Sequence, residues 1–189
     1  MINKKFKILL GATLLCAVSP NLFAQRPTIA THIPHAEVMT VFEHMGGSID
    51  QQIRVVDIGD EVNVGVGVLQ RMGTRTEGES VNAIVHHRIT EVYYVLSGSG
   101  TLVTGGEISG DIEFADDNTS VLVLIGPSGS RTVINGHAKT ISAGDIVIIP
   151  AGVPHGFKNI QHQITYVSIR VDPNQVLPTG YVHPSLENE

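Results

Sequence analysis

Gly144-Asp-Ile-Val-Ile-Ile-Pro150-Ala-Gly152-Val-Pro-His155-Gly-Phe-Lys-Asn159 decides how this chain is read. Ile146 to Ile149 is a short apolar run of strand-forming residues. Gly144 permits a tight turn into it, and Pro150 and Gly152 fix the bend that ends it. His155 then opens a second strand. A matching stretch lies upstream: His86-His87-Arg-Ile-Thr-Glu91-Val-Tyr-Tyr-Val-Leu-Ser-Gly98. The two are expected to fold against each other in a β-barrel and bring His155 close to Glu91 and to His86 or His87. That arrangement makes a metal or small-ligand site. Neighbours on a strand point to opposite faces, so only one of His86 and His87 enters the barrel. The step from His86 to Glu91 must include a turn or bulge, so strand parity does not choose between them.

The surrounding sequence supports many short strands. Strands are expected at Ile53–Ile58, Val62–Gln70, Val81–His87 and Glu91–Leu96. Ser97-Gly98-Ser99-Gly100 reads as a hairpin into Thr101–Thr104. Further strands are expected at Val121–Ile125, Arg131–Ile134, His137–Ile141, Asp145–Ile149, Val153–Asn159 and Gln163–Val171. Ala36–Met45 spaces Val38, Met39, Val41, Phe42 and Met45 as one amphipathic helix, ended by Gly46-Gly47. Arg71–Ser80 and the acidic Glu107–Ser120 read as loops, the latter without the spacing of a calcium loop. Asp172–Glu189 reads as a loose tail whose Tyr181-Val182 is available to a partner subunit. Short strands at steady spacing with glycine turns point to an all-β sandwich or barrel, and a small barrel can enclose one ligand.

The first 24 residues read differently. Lys4, Lys5 and Lys7 precede an apolar run from Ile8 to Val18, and Ala24 closes the segment. This is the pattern of an export signal, cleaved near Ala24, and the run is too short to span a bilayer. Export to the periplasm or the extracellular space is therefore expected. The one cysteine, Cys16, leaves with that segment, so the mature protein has no disulfide. Nine basic side chains then face 18 acidic ones, a net charge of −9 against −6 for the full chain. Such a balance fits neither a nucleic-acid partner nor an anionic membrane surface. No nucleophile triad, phosphate loop or dinucleotide fingerprint is present; Gly65-Val-Gly67 is followed by no third glycine and no helix pattern.

Gly144, Pro150, Gly152, His155 and Asn159 together resemble the second signature motif of the cupin superfamily at every fixed position. The upstream stretch is similar to that family's first motif at Glu91, Gly98 and one histidine. The motif's leading glycine and first histidine are missing: the positions two before His86 and His87 hold Ile84 and Val85. The resemblance covers about 62–172 as the barrel, with residues 25–61 as an arm, short helix and first strand, and 173–189 as a tail.

The resemblance implies an all-β, cupin-type small β-barrel (a double-stranded β-helix or jelly roll) with one short N-terminal helix. It favours His86, with His87 as the alternative, and implies a metal site of His86, Glu91 and His155. Two imidazoles and one carboxylate leave positions open on an ion. Fe(II) or Mn(II) suits that set, and Zn(II) or Ni(II) is compatible with it. Tyr93 shares a face with Glu91 and is the candidate acid or ligand donor. Gln70 and Arg71 are placed to contact an anionic ligand. The implied activity is oxygen-dependent oxidation or cleavage of a small organic molecule, in a homodimer. The alternatives are a non-catalytic ligand-binding barrel, a metal-free isomerase, and a purely hydrogen-bonded His86–Glu91–His155 cluster.

Overall fold

A computed structural model describes residues 27–187. The expected export signal, residues 1–24, lies outside the described residues. The described chain holds one α-helix, α1 (His35–Glu43), and nine strands. These are β1 (Asp50–Asp57), β2 (Asn63–Arg75), β3 (Val81–His86), β4 (Thr90–Thr104), β5 (Glu107–Glu113), β6 (Ser128–Ile134), β7 (His137–Ser142), β8 (Ile146–Ile149) and β9 (His155–Asp172). All pair antiparallel in one sheet. Its main path runs β1-β2-β9-β3-β6-β5, while β4 joins β7, β8 and β9. The expected all-β roll with one short helix is the architecture observed.

The inner face is lined by Leu69, Tyr93, Val95, Leu102, Ile141, Ile149, Ile160, Ile164 and Tyr166, one contiguous apolar core. Burial of such side chains contributes roughly 1.5–3 kcal/mol each. The helix lies on the other face of β1 and β2. Its Val41 is fully buried against Ile53 and Val68, with Phe42 and Val38 beside it. That contact uses the one-turn spacing of the apolar residues in α1.

Several expectations are corrected. The Ser97–Gly100 hairpin is absent: β4 runs 15 residues straight through it, paired with β9 and interrupted by bulges between Val95 and Ser97 and between Gly98 and Thr101. Likewise Val153–Asn159 and Gln163–Val171 are one 18-residue strand, β9. The glycines bend the strands and do not end them. Gly98 has φ +76°, and a Cβ there would lie 2.0 Å from the Gln163 carbonyl oxygen.

Residues 71–75, expected in a loop, extend β2 along β9. Residues 107–113, also expected in a loop, form β5. Its residues are mostly exposed at one end of the sheet path, so the strand carries no buried alternation to read. Val121–Ile125 is a π-helical turn, not a strand, with Val121 and Ile125 inward and Leu122 outward. Short apolar runs do not distinguish these forms.

The tail is also docked on its own chain. Asp172 accepts backbone N–H bonds from Asn174, Val176 and Leu177, and Leu177 is buried against Val55 and Ile89. Tyr181 and His183 exchange backbone hydrogen bonds with Val55 and Ile53 of β1, and Val182 bridges to Arg54.

Gly98→Ala is expected to destabilise the protein by roughly 2–4 kcal/mol, because the added methyl meets backbone that a rotamer change cannot move. Urea unfolding measures it; an unchanged midpoint would show that β4 and β9 can separate there without cost.

Candidate metal centre

The two motif stretches meet through the backbone first. Ile84 of β3 pairs with His155 at the start of β9. The Gly152 N–H donates to the His86 carbonyl at 2.8 Å. This brings the end of β3, the start of β4 and the start of β9 to one point. His86, Glu91 and His155 converge there, all buried. Glu91 Oε2 lies 3.2 Å from His86 Nε2 and 3.2 Å from His155 Nε2. The imidazole centroids are 5.2 Å apart. His87 faces away, half-exposed, with its Nε2 2.7 Å from Glu113 Oε2.

The hydrogen bonds fix which nitrogen of each histidine is free. His155 Nδ1 lies 3.0 Å from the Val153 carbonyl, which can only accept, so Nδ1 carries the hydrogen. His86 Nδ1 lies 2.8 Å from Ser128 Oγ. That hydroxyl spends its one hydrogen on the Ile125 and Gly126 carbonyls, so it accepts from His86. In the neutral imidazoles both Nε2 atoms therefore present lone pairs toward Glu91 Oε2. Burial pushes the His86 pKa down, against the raising effect of Glu91, which favours this neutral form. His155 Nε2 is buried and has no hydrogen-bond partner.

Glu91 stays ionised. Burial would raise its pKa, but the charge of His86 in its protonated form, Nε2–H bonds from the imidazoles in that form and the Arg170 guanidinium outweigh burial and hold the carboxyl well below its usual range. Oε2 accepts from the Tyr93 hydroxyl at 2.9 Å, and Oε1 from Ser168 Oγ at 2.7 Å and Arg170 Nε at 3.4 Å. Arg170 is itself fully buried and also donates to Gln52 Oε1 and Asp50 Oδ2. Its guanidinium fits because β2 is glycine opposite it. A Cβ at Gly67 would lie 2.8 Å from Arg170 Nη1, and one at Gly65 would lie 2.5 Å from Gln52 Nε2.

Tyr93 directs its hydrogen to Glu91 and packs against Tyr166 in a tilted arrangement, 4.4 Å between centroids. Burial and the adjacent Glu91 raise its pKa well above the phenol value, so it keeps that hydrogen.

Ser128, Ser168, Arg170, Gln52 and Asp50 were not singled out by sequence reasoning. One signal was available: Ser168, Arg170 and Asp172 alternate along β9 opposite the Gly-Val-Gly of β2. That alternation reads as a wet face, whereas it is the inner one.

The donor set fits a divalent ion. Metal bonds of about 2.1 Å at tetrahedral or octahedral angles place neighbouring ligand atoms about 3.0–3.4 Å apart. Both contacts of Glu91 Oε2 with the imidazoles fall in that interval. Each imidazole also has the outer hydrogen-bond acceptor that metal-binding histidines use.

Three comparisons bear on this centre. A family model described as Cupin matches residues 61–188. No curated protein matches the sequence. Among solved structures, the chain is similar to a protein of Bacillus halodurans at 17% identity, over 82% of this chain and 89% of that one, with a TM-score of 0.42. It is similar to the EutQ protein of Clostridium difficile at 10% identity, over 66% and 69%, with a TM-score of 0.34. For an oxalate oxidase the figures are 16%, 68%, 53% and 0.35. These likenesses are distant, and the family match carries the assignment.

The pKa shifts set a pH dependence for the metal-free protein. His86 (ordinary value 6.5) and Glu91 (4.5) both take up protons less readily folded than unfolded. Stability should therefore fall as pH drops below 6.5, and more steeply below 4.5. Urea midpoints across that range measure it. Glu91→Gln should flatten the part below 4.5; an unaltered slope in that variant contradicts the assignment.

Proposed function

The chain belongs to the cupin family, and we propose that it is an exported, metal-dependent member that oxidises a small organic molecule. The observation that carries the reading is the convergence of Glu91 Oε2 and two imidazole Nε2 lone pairs at one buried point. His86, Glu91 and His155 would hold the ion, with Fe(II) or Mn(II) favoured by the two-nitrogen, one-carboxylate set. When bound, such an ion supplies a Lewis-acidic centre with open positions, and its redox activity supports oxygen chemistry.

The chain's own residues do the rest. Ser128 and the Val153 carbonyl orient the two imidazoles. Ser168 and Arg170 hold Glu91 Oε1, while Tyr93 holds Oε2. Access would run through a cavity of about 970 Å³ that includes His155 in its wall and is lined by apolar and polar side chains in similar number. Such a volume suits a small organic substrate.

Export rests on the basic and apolar pattern of residues 1–24. No helix among the described residues is long and apolar enough to cross a membrane. A homodimer belongs to the same reading. Tyr94, Ile146, Ile148 and Ile169 are exposed on adjacent strands β4, β8 and β9 and form an apolar outer face for it. Sedimentation should give a dimer that Ile148→Lys converts to a monomer; a monomeric parent protein rejects this part.

A second reading, ligand binding without catalysis, has its own support. Glu91 already receives Tyr93, Ser168 and Arg170, so it is satisfied without an ion.

Metal analysis separates the two. Reconstituted protein should hold about one Fe(II) or Mn(II) per chain. His155→Ala and Glu91→Gln should lose nearly all of it, and His87→Ala should keep it. Oxygen uptake with candidate organic substrates should follow the metal content. A parent protein that takes up no ion favours the second reading.

A further inference from the structure

We infer that the molecule bound in this cavity is an organic acid with an apolar body, and that Arg71 reads its carboxylate. The inference rests on the reading of the His155-lined cavity as the substrate's entrance, and it names the substrate class.

Arg71 lies on β2 and lines the same cavity as His155. Its Nε donates to the Tyr166 hydroxyl at 3.0 Å. Its guanidinium carbon sits 5.8 Å from the centre of the Phe157 ring. These two contacts hold the plane of the group and use one of its five N–H bonds. No carboxylate lies at ion-pair distance from it, although the charge of Asp50 acts on it, and neither Nη atom has an acceptor among the described residues. A half-buried, oriented guanidinium with its fork free is built for a planar anion, which it can take bidentately.

Tyr166 makes this placement part of the centre. It packs against Tyr93, whose hydroxyl holds Glu91. Arg71 and Glu91 are therefore positioned by opposite ends of one aromatic pair. A ligand anchored on Arg71 lies in the cavity whose wall also includes Phe157 and His155.

The rest of the lining narrows the class. Phe42, Met45, Phe114, Phe157 and Ile160 are apolar, and Glu43 lies at the exposed end of α1. Arg71 is the one lysine or arginine in the lining. One guanidinium meets at most a monoanion, and Glu43 in the same lining opposes any further negative charge. A phosphate monoester would bring a second charge with no second cation to meet it. Beside Arg71 the wall is Phe157 and Ile160, which favours a branched or aromatic body over a small hydrophilic diacid, and Gln70, Asn82 and Ser130 leave room for polar substituents elsewhere.

The test uses metal-free full-length protein, so that an ion contributes nothing to carboxylate binding. Calorimetry with phenylacetate and 3-methylbutanoate is compared with their amides. The parent protein should prefer an acid over its amide by about ten- to hundredfold. Arg71→Met should abolish the preference, and Arg71→Lys, which keeps the charge without the fork, should retain part of it. His87→Ala, whose side chain faces away toward Glu113, should leave the preference intact. Urea midpoints verify folding, and Arg71→Gln replaces the methionine variant if that one does not fold. Failure of either acid to bind the parent protein at millimolar concentration overturns the inference. So does a preference that survives Arg71→Met or Arg71→Gln. Metal content is measured separately, so loss of the metal reading and loss of this one are told apart.

Discussion

The buried carboxylate of Glu91 is the constraint around which the structure is arranged. An isolated anion in an apolar barrel costs several kcal/mol even after relaxation. Here the cost is offset by Arg170, Ser168 and Tyr93. Arg170 in turn brings a buried positive charge, which Asp50 and Gln52 meet from β1. The guanidinium occupies volume that β2 leaves by having glycine at 67, and the Gln52 amide occupies that left by Gly65. One carboxylate thus accounts for the composition of three strands. The set of Glu91, Arg170 and Asp50 carries one net negative charge, and the two imidazoles place nitrogen donors beside it. Both features draw a cation toward the Nε2 atoms.

Much of the fold was legible in the sequence because strand burial repeats every two residues and glycine marks bends. The helix, the strands at 62–70, 81–87 and 145–149, and the turn before His155 read directly. What misled was continuity. Gly98 and its neighbours look like a hairpin, but their glycine accommodates a close backbone approach inside a strand. Local sequence does not separate a bulge from a turn; only the partner strand does. The edge strand at 107–113 escaped for the opposite reason, since it buries too little to leave a pattern.

At the centre, spacing nominated Glu91, His155 and one of His86 and His87, the motif resemblance favoured His86, and the backbone brings His86, Glu91 and His155 together. The choice between His86 and His87 was not available from strand parity, because β3 ends at His86 and the chain turns before Glu91. The supporting groups were hidden by an inversion. On β2 the valines Val64 and Val66 lie on the half-buried helix side, while Gly65 and Gly67 face the interior. The inner wall is polar at this end of the roll, so a rule that puts apolar residues inward points the wrong way.

A single strand, β9, carries His155 at its start and Ser168 and Arg170 near its end. The groups that bind and the groups that support are therefore locked in one register against β2 and β4. A slip of one residue would turn Ser168 and Arg170 to the outer face and leave Glu91 without its partners. These pairings join segments far apart in sequence, which places them late and slow in folding. A chain with misaligned β9 has no complete centre to offer, so an ion held at this point would stabilise only the correctly aligned molecule.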